Sequence, residues 1–267
     1  MKLSVFDHRR DNLGKTYVYA VLSRRSGGVS IGINLNPNKA CNWRCVYCQV
    51  DGLAYGKAPP IDLERLRQEL ADTLSEWQDH AIVDVSFSGD GEPTSALQFA
   101  DVVRLVATVL EEFSLLGKIK IVLITNGSLM LRDHVIEGLK ALREVYAEVW
   151  FKIDSFNEEG HWHLNHFSTT LSSRMRQLAK SAEFCPTFIQ SCFFLYDGKP
   201  SETMENYVQG LEHIMAAHIP IQGVLLYAPI RESHQPEGSH IALLPASFFE
   251  ALAVKIEELG LSVKIAL

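Results

Sequence analysis

Short stretches in which side chains alternate in character are separated by longer stretches in which apolar residues recur every three to four positions. In residues 30–35, Ser30, Gly32 and Asn34 fall on one face of a predicted strand, and Ile31, Ile33 and Leu35 on the other. Residues 83–88 repeat this, with Asp84, Ser86 and Ser88 opposite Val83, Val85 and Phe87. Residues 120–125, 149–154, 187–195 and 222–227 complete six predicted strands. Lys152 and Asp154 oppose Phe151 and Ile153, and Gln190 shares a face with Cys192. Between the strands, residues 61–77 carry Leu66, Leu70, Leu74 and Trp77 at helical spacing behind Asp62, a predicted N-cap. Further helices are predicted to about Phe113, over 132–143, after Ser201 as cap, and from a capping box at Ser247 and Glu250 to a stop at Gly260. Residues 261–266 add a possible edge strand.

Strand and helix alternate six times, which calls for parallel strands joined by right-handed crossovers. Strands buried between two helix layers are apolar on both faces. Here one face stays polar, which favours a partial (β/α)6 TIM-like barrel with a polar lumen over an open doubly wound sheet. The 267 residues are read as a single domain: an extension over 1–28, a barrel core over 29–230, and a C-terminal loop, helix and edge strand over 231–267.

Hydrophobic residues make up 47% and charged residues 21%, so the chain has the composition of a globular protein. A net charge of −7 argues against non-specific binding to nucleic acid or anionic membrane. No run reaches the roughly 18 apolar residues of a membrane helix, and the first ten residues lack a signal-type apolar run. A cytoplasmic setting with reduced thiols is expected. This bears on the five cysteines, of which Cys41, Cys45 and Cys48 stand in C-x3-C-x2-C spacing after the first predicted strand. Three thiolates this close suit an iron–sulfur cluster, and three ligands on a cubane leave one iron open. A zinc site completed by a distant histidine is the alternative. Ser88-Gly89-Asp90-Gly91-Glu92-Pro93-Thr94 follows the second predicted strand. Its glycines allow close backbone approach to a ligand, and Glu92 offers a carboxylate to a ligand ammonium. Alternatively, it is a tight turn in which Pro93 starts a helix.

Together the two motifs resemble the radical SAM superfamily. The resemblance implies a [4Fe–4S] cluster on Cys41, Cys45 and Cys48, whose open iron binds the amine and carboxylate of S-adenosylmethionine. The segment Asp90-Gly91-Glu92-Pro93 looks like the family's methionine-binding Gly-Gly-Glu-Pro. Asn126 and Asp154 fall where the family places further cofactor contacts; Ser88, Gly89 and Gln190 join this expected cofactor set. The implied reaction is reductive cleavage of S-adenosylmethionine to a 5′-deoxyadenosyl radical that takes hydrogen from a substrate. The implied partner is a one-electron reductant of flavodoxin or ferredoxin type. Residues 32–37, 41–52, 87–94 and 222–229 are similar to a subgroup of Fe–S oxidoreductases related to tRNA wyosine synthases. Those synthases carry additional N-terminal cysteines for a second cluster, and no cysteine precedes Cys41 here. One cluster and a small-molecule or peptide substrate are therefore expected ahead of tRNA, with a non-catalytic Fe–S or zinc scaffold as a third reading.

Lys152 and Cys192 are the candidate catalytic side chains. Lys152 would grip a substrate carboxylate, form a Schiff base, or simply pair with Asp154 or Asp84. Cys192 would donate hydrogen to a substrate radical, or it and Cys185 are small buried thiols. His161 and His163 are read as lying on different faces of one helix, without a second metal. Arg9, Arg10, Arg24 and Arg25 are a phosphate patch or a solvated surface.

Overall fold

The protein is described by a computed structural model over residues 14–23 and 27–267; the arginine pairs at 9–10 and 24–25 lie outside the described residues. The chain divides into two compact units. The first comprises residues 1–42, 54–125 and 129–149, and the second 43–53, 126–128 and 150–267.

In the first unit the strands are β1 (Val18–Ser23), β2 (Gly28–Ile33), β3 (Ile82–Phe87), β4 (Lys120–Thr125) and the start of β5 (Ala147–Lys152), hydrogen-bonded in that order. From β2 to β4 they are parallel, with α1 (Leu63–Glu76) and α2 (Phe99–Glu112) as crossovers, and α3 (Asp133–Arg143) leads on to β5. Ile31, Ile33, Val85, Phe87 and Leu123 of the strands and Leu66, Leu70, Val102 and Val106 of the helices are all excluded from solvent. Asp62 caps α1 as the sequence predicts, accepting from the Arg65 N–H at 3.0 Å.

β1 lies in the predicted N-terminal extension and pairs antiparallel with β2, bringing Tyr19 opposite Gly32. Gly32 is glycine because a Cβ there would run into the Tyr19 ring. With the ring in that space, Tyr19 Oη lies 2.8 Å from Ser88 Oγ. Glu69 of α1 anchors the start of the same strand by accepting the backbone N–H groups of Thr16, Tyr17 and Val18.

In the second unit the end of β5, β6 (Thr187–Cys192), β7 (Ile221–Tyr227) and β8 (Val263–Ala266) follow in that order, with β6, β7 and β8 parallel. After β5 the chain forms two helices, α4 (Glu158–Asn165) and α5 (Leu171–Phe184). They break at His166, which takes a left-handed conformation (φ 47°). Two cap expectations are corrected. Thr203, not Ser201, caps α6 (Met204–Ala216), because its side chain accepts from the Asn206 N–H at 3.2 Å. Ser247 lies inside α7 (Ala246–Glu258), which begins after Pro245 without a side-chain cap. Gly260 follows that helix at φ 81°, a conformation glycine adopts without a Cβ penalty.

Candidate functional site

In the first unit, Cys41 ends the two-residue strand Ala40–Cys41, which pairs with Ala54–Tyr55. The Gly-rich segment after β3 is packed against the approach to this cysteine. A Cβ on Gly91 would overlap the Ala40 carbonyl oxygen, and one on Gly89 would overlap Asn34. Both glycines thus admit protein rather than leave space for a ligand. Asn34 Nδ2 donates to Asp90 Oδ2 at 2.6 Å, and Asn34 Oδ1 accepts from the Asp90 N–H at 3.1 Å. Asn36 Nδ2 donates to the Ala40 carbonyl at 2.8 Å and to Ser95 Oγ at 3.1 Å. Glu92 is buried, and its Oε1 accepts from the Thr94 N–H (3.1 Å), from the Thr94 hydroxyl and from Thr125 Oγ1 (2.6 Å). Pro93 opens a 3-10 turn over Pro93–Ser95 with Glu92 as its cap. The turn reading of this segment therefore holds, whatever further role its residues have.

The polar face of β2 and β3 is largely self-satisfied. Ser30 donates to Asp84, Ser30 Oγ lies 3.2 Å from Ser86 Oγ, and Ser86 Oγ lies 3.2 Å from Ser88 Oγ. The alternation in the sequence marks this network as well as any ligand face.

In the second unit, residues 43–53 carry Cys45 and Cys48, with the Cys48 N–H bonded to the Cys45 carbonyl at 2.9 Å. The loop is held from two sides. From α4 and its C-terminal turn, the Leu164 and Asn165 carbonyls accept the Val46 and Arg44 N–H groups at 2.9 and 3.0 Å. From the long loop after β7, Ser233 Oγ donates to the Val46 carbonyl at 2.7 Å and the His234 N–H to the Cys48 carbonyl at 3.0 Å. Arg44 pairs through both terminal nitrogens with Glu237, at 2.7 and 2.8 Å, which draws the Glu237 carboxyl down to about 2.

Beneath the loop lies a buried cluster centred on Asp154. Its Oδ2 accepts from the Tyr47 hydroxyl and from Asn165 Nδ2 (2.8 Å), and its Oδ1 accepts from the Cys192 N–H at 2.9 Å. Asn165 Nδ2 also approaches Cys45 Sγ at 3.3 Å. Lys152 Nζ donates to Tyr227 Oη at 2.7 Å, lies 3.6 Å from Asp154 Oδ1, and sits over the Tyr47 and Tyr227 rings. Burial works against the Lys152 charge, but Asp154 and then Tyr227 outweigh it and raise its pKa. The amine therefore keeps its proton, which argues against the Schiff-base reading and leaves the paired and carboxylate-gripping ones. Arg174, fully buried, donates to the Lys152 carbonyl at 2.6 Å and fixes the end of that strand.

Cys192 is buried among Val46, Tyr47, Leu164 and Phe194; burial, opposed by Lys152, pushes its thiol far above the usual range. Cys185 is also buried. Gln190 is 1% exposed, and among the described residues its Nε2 has no hydrogen-bond partner. Asn126 serves its own turn, accepting from the Ser128 N–H and hydroxyl at 3.0 and 2.7 Å. His161 is buried and His163 exposed, on different sides of α4 as expected. Tyr47, Asn165 and Tyr227 are the participants that sequence reasoning missed. Tyr47 lay inside the cysteine motif and Tyr227 at the end of the predicted strand 222–227, but nothing in the sequence signalled Asn165.

The donor chemistry suits an iron–sulfur cluster. Cys41, Cys45 and Cys48 are half-buried thiols that form no disulfide among the described residues. Burial lifts the Cys45 thiol to about 12, so without a metal it holds its proton, and a metal would take the proton's place. Among the described residues, no three His, Cys, Asp or Glu side chains converge on an ion-sized site. The assignment of the three cysteines rests on their spacing and the state of their thiols.

The radical SAM superfamily model matches residues 35–214, and the chain belongs to that superfamily. Its curated relatives include a UPF0026 protein of Helicobacter pylori, 32% identical over 129 residues, which are 45% of this chain and 37% of that protein. A UPF0026 protein of Methanocaldococcus jannaschii is 29% identical over 152 residues, covering 54% and 42% of the two chains. The matches thus span well under half of the relatives' length. Among solved structures, Streptococcus suis SuiB bound to S-adenosylmethionine aligns with a TM-score of 0.60 at 14% identity, over 88% of this chain and 49% of that one. The wyosine synthase TYW1 with a lysine-pyruvate adduct bound aligns at 0.59 and 13%, over 86% and 73%. The fold is therefore the α/β partial-barrel fold of radical SAM enzymes, and the superfamily is a class of iron–sulfur enzymes. No helix among the described residues is long and apolar enough to cross a membrane.

Proposed function

We propose that this protein cleaves S-adenosylmethionine reductively and uses the resulting 5′-deoxyadenosyl radical to take hydrogen from a small-molecule or peptide substrate. The observation that carries this reading is the continuous buried network from the cysteine loop to the strand ends. Tyr47 and Asn165 both donate to Asp154, and Asn165 also reaches Cys45. A cluster held by Cys41, Cys45 and Cys48, with S-adenosylmethionine on its open iron, supplies the electron transfer and radical chemistry when bound.

The chain's own residues do the rest. The Asn165 N–H stabilises negative charge on Cys45 sulfur, and the Arg44–Glu237 pair, the Ser233 hydroxyl and the His234 N–H hold the loop in place. Burial of Lys152, Asp154 and Cys192 keeps water from the polar strand ends. Cys192 would keep its proton and give a hydrogen atom to a substrate radical, and one further electron from the external reductant, with a proton, would return the thiyl to the thiol. An external one-electron reductant is required. The net charge of −7 favours the small substrate over tRNA.

The test is anaerobic reconstitution of the wild type and of the Cys41→Ala, Cys45→Ala and Cys48→Ala variants. The wild type is expected to hold about four irons and to produce 5′-deoxyadenosine on reduction. Each variant loses most of its iron and all cleavage. Full iron retention when all three are replaced overturns the reading, and about eight irons per chain would indicate a second cluster and restore the tRNA alternative.

A further inference from the structure

The strand register sets Lys152 and Gln190 side by side. The Ile153 N–H donates to the Gln190 carbonyl at 3.0 Å, which places Lys152 level with Gln190 in neighbouring strands. Gln190 is in turn level with Leu225, and Cys192 with Tyr227. Side chains alternate, so Lys152 and Gln190 form one row on a face, and Asp154, Cys192 and Tyr227 the next row along. Ser191, between Gln190 and Cys192, points the other way, with its Oγ 2.6 Å from Tyr207 Oη.

This row has more donors than acceptors. Among the described residues, Gln190 Nε2 is buried without a partner, an arrangement that is costly unless something accepts from it. The Lys152 ammonium has three N–H groups, one of which goes to Tyr227. Asp154 does not take the others at hydrogen-bond distance. Its nearer oxygen is 3.6 Å away and already accepts from the Cys192 N–H, while its second oxygen accepts from Tyr47 and Asn165. The aspartate charge is thus spread over three donors of its own, and the ammonium is left partly uncompensated beside an unpaired amide.

We infer that the Lys152–Gln190 row binds the carboxylate of the substrate. Two acceptor oxygens on one carbon match an ammonium and an amide donor on adjacent strands. A single negative charge fits, because a phosphate dianion would bring a second charge next to Asp154 with no further cation in the row. The Tyr47 and Tyr227 rings that flank Lys152 offer apolar surface to the carbon next to the carboxylate. Cys192 lies one row further on, within reach of the adjoining carbon. This inference rests on the radical SAM reading and deepens it by naming the substrate class. It also moves Gln190 from the expected cofactor set to the substrate.

The shared chemistry is a carboxylate, and the methionine part of the cofactor also carries one. Acetate and its neutral isostere acetamide are therefore titrated into reconstituted full-length protein, with ligand-observed NMR as readout. The titration is done with and without saturating S-adenosylmethionine. Acetate is expected to bind and acetamide not to. Lys152→Met and Gln190→Leu are each expected to weaken acetate about tenfold, the size of one charge-assisted hydrogen bond, and Gln190→Glu more, through repulsion. Acetate affinity should be unchanged when S-adenosylmethionine saturates the protein. Displacement of acetate by the cofactor would assign the site to the cofactor's carboxylate and overturn the inference, as would equal binding of acetate and acetamide. Gln190→Leu and Gln190→Glu leave Lys152 and its pairing in place, so the test survives misfolding of Lys152→Met. Failure of the radical SAM reading would appear separately, as absent iron and absent cofactor cleavage.

Discussion

The two units carry polar strand faces that look alike in sequence and behave differently in the fold. In the first, Ser30, Asp84, Ser86, Ser88 and Tyr19 form a chain of hydrogen bonds, and Glu92 is taken up by Thr94 and Thr125. In the second, Asp154 is saturated, but among the described residues Gln190 Nε2 has no partner and Lys152 is only partly matched. A buried polar group without a partner is costly, so a face that keeps one is suited to a ligand, and a face that satisfies itself is built for structure. Alternation of polar and apolar residues does not separate the two cases, whereas the hydrogen-bond inventory does.

The contrast is sharpest at the two buried aspartates. Asp154→Asn removes the charge that faces Lys152 and disturbs Tyr47, Asn165 and the Cys192 backbone together; an expected loss of about 3–5 kcal/mol follows from leaving a buried cation unpaired. Asp84→Asn, among hydroxyls, is expected to cost less, about 1–3 kcal/mol. Urea unfolding of both variants measures the gap, and equal losses would break the distinction between the faces.

A pH titration gives the next largest effect, again confined to the second unit. Burial, then the charge of Arg174, lowers the His161 pKa from near 6.5 to about 4. Between those values the unfolded chain takes up a proton that the native state refuses. Stability contributed by neutral His161 is therefore lost as pH falls from about 6.5 to 4, by about 3 kcal/mol over the window. His161→Leu should flatten that part of the stability curve; a slope that survives the substitution would mean another group is responsible.

The smallest effect belongs to the first unit. With only the sequence in view, Gly91→Val is expected to spare the cluster and weaken the cofactor. The structure changes that expectation, because the new Cβ would overlap the Ala40 carbonyl, one residue before Cys41. Overpacking of this kind costs about 1–3 kcal/mol and should lower iron content along with cofactor affinity. Iron assay and cofactor titration on the same preparation decide between the two, and a full iron complement would show that the backbone there yields.

Much of the architecture was legible. The six strands and the helices between them follow from periods of two and about 3.6, and the Asp62 cap from its place before an apolar stripe. β1 was not legible, since its partner is chosen by pairing with β2 and by the missing Cβ of Gly32, which admits Tyr19. The caps at Ser201 and Ser247 were misread because a hydroxyl near a helix start is common, and only backbone direction decides which one accepts the N–H.

For the candidate site, residue identity alone determined the C-x3-C-x2-C thiols, the Gly-rich turn and the superfamily they resemble, because these are local patterns whose chemistry needs particular atoms at short spacing. Only the tertiary structure decided that Tyr47 and Asn165 meet at Asp154 across more than a hundred and about ten residues of chain, respectively. It alone decided, too, that Lys152 keeps its proton and that Gln190 Nε2 lacks a partner among the described residues. Those outcomes depend on burial and on which donors arrive from distant elements. Neither quantity is carried by any one segment of the sequence.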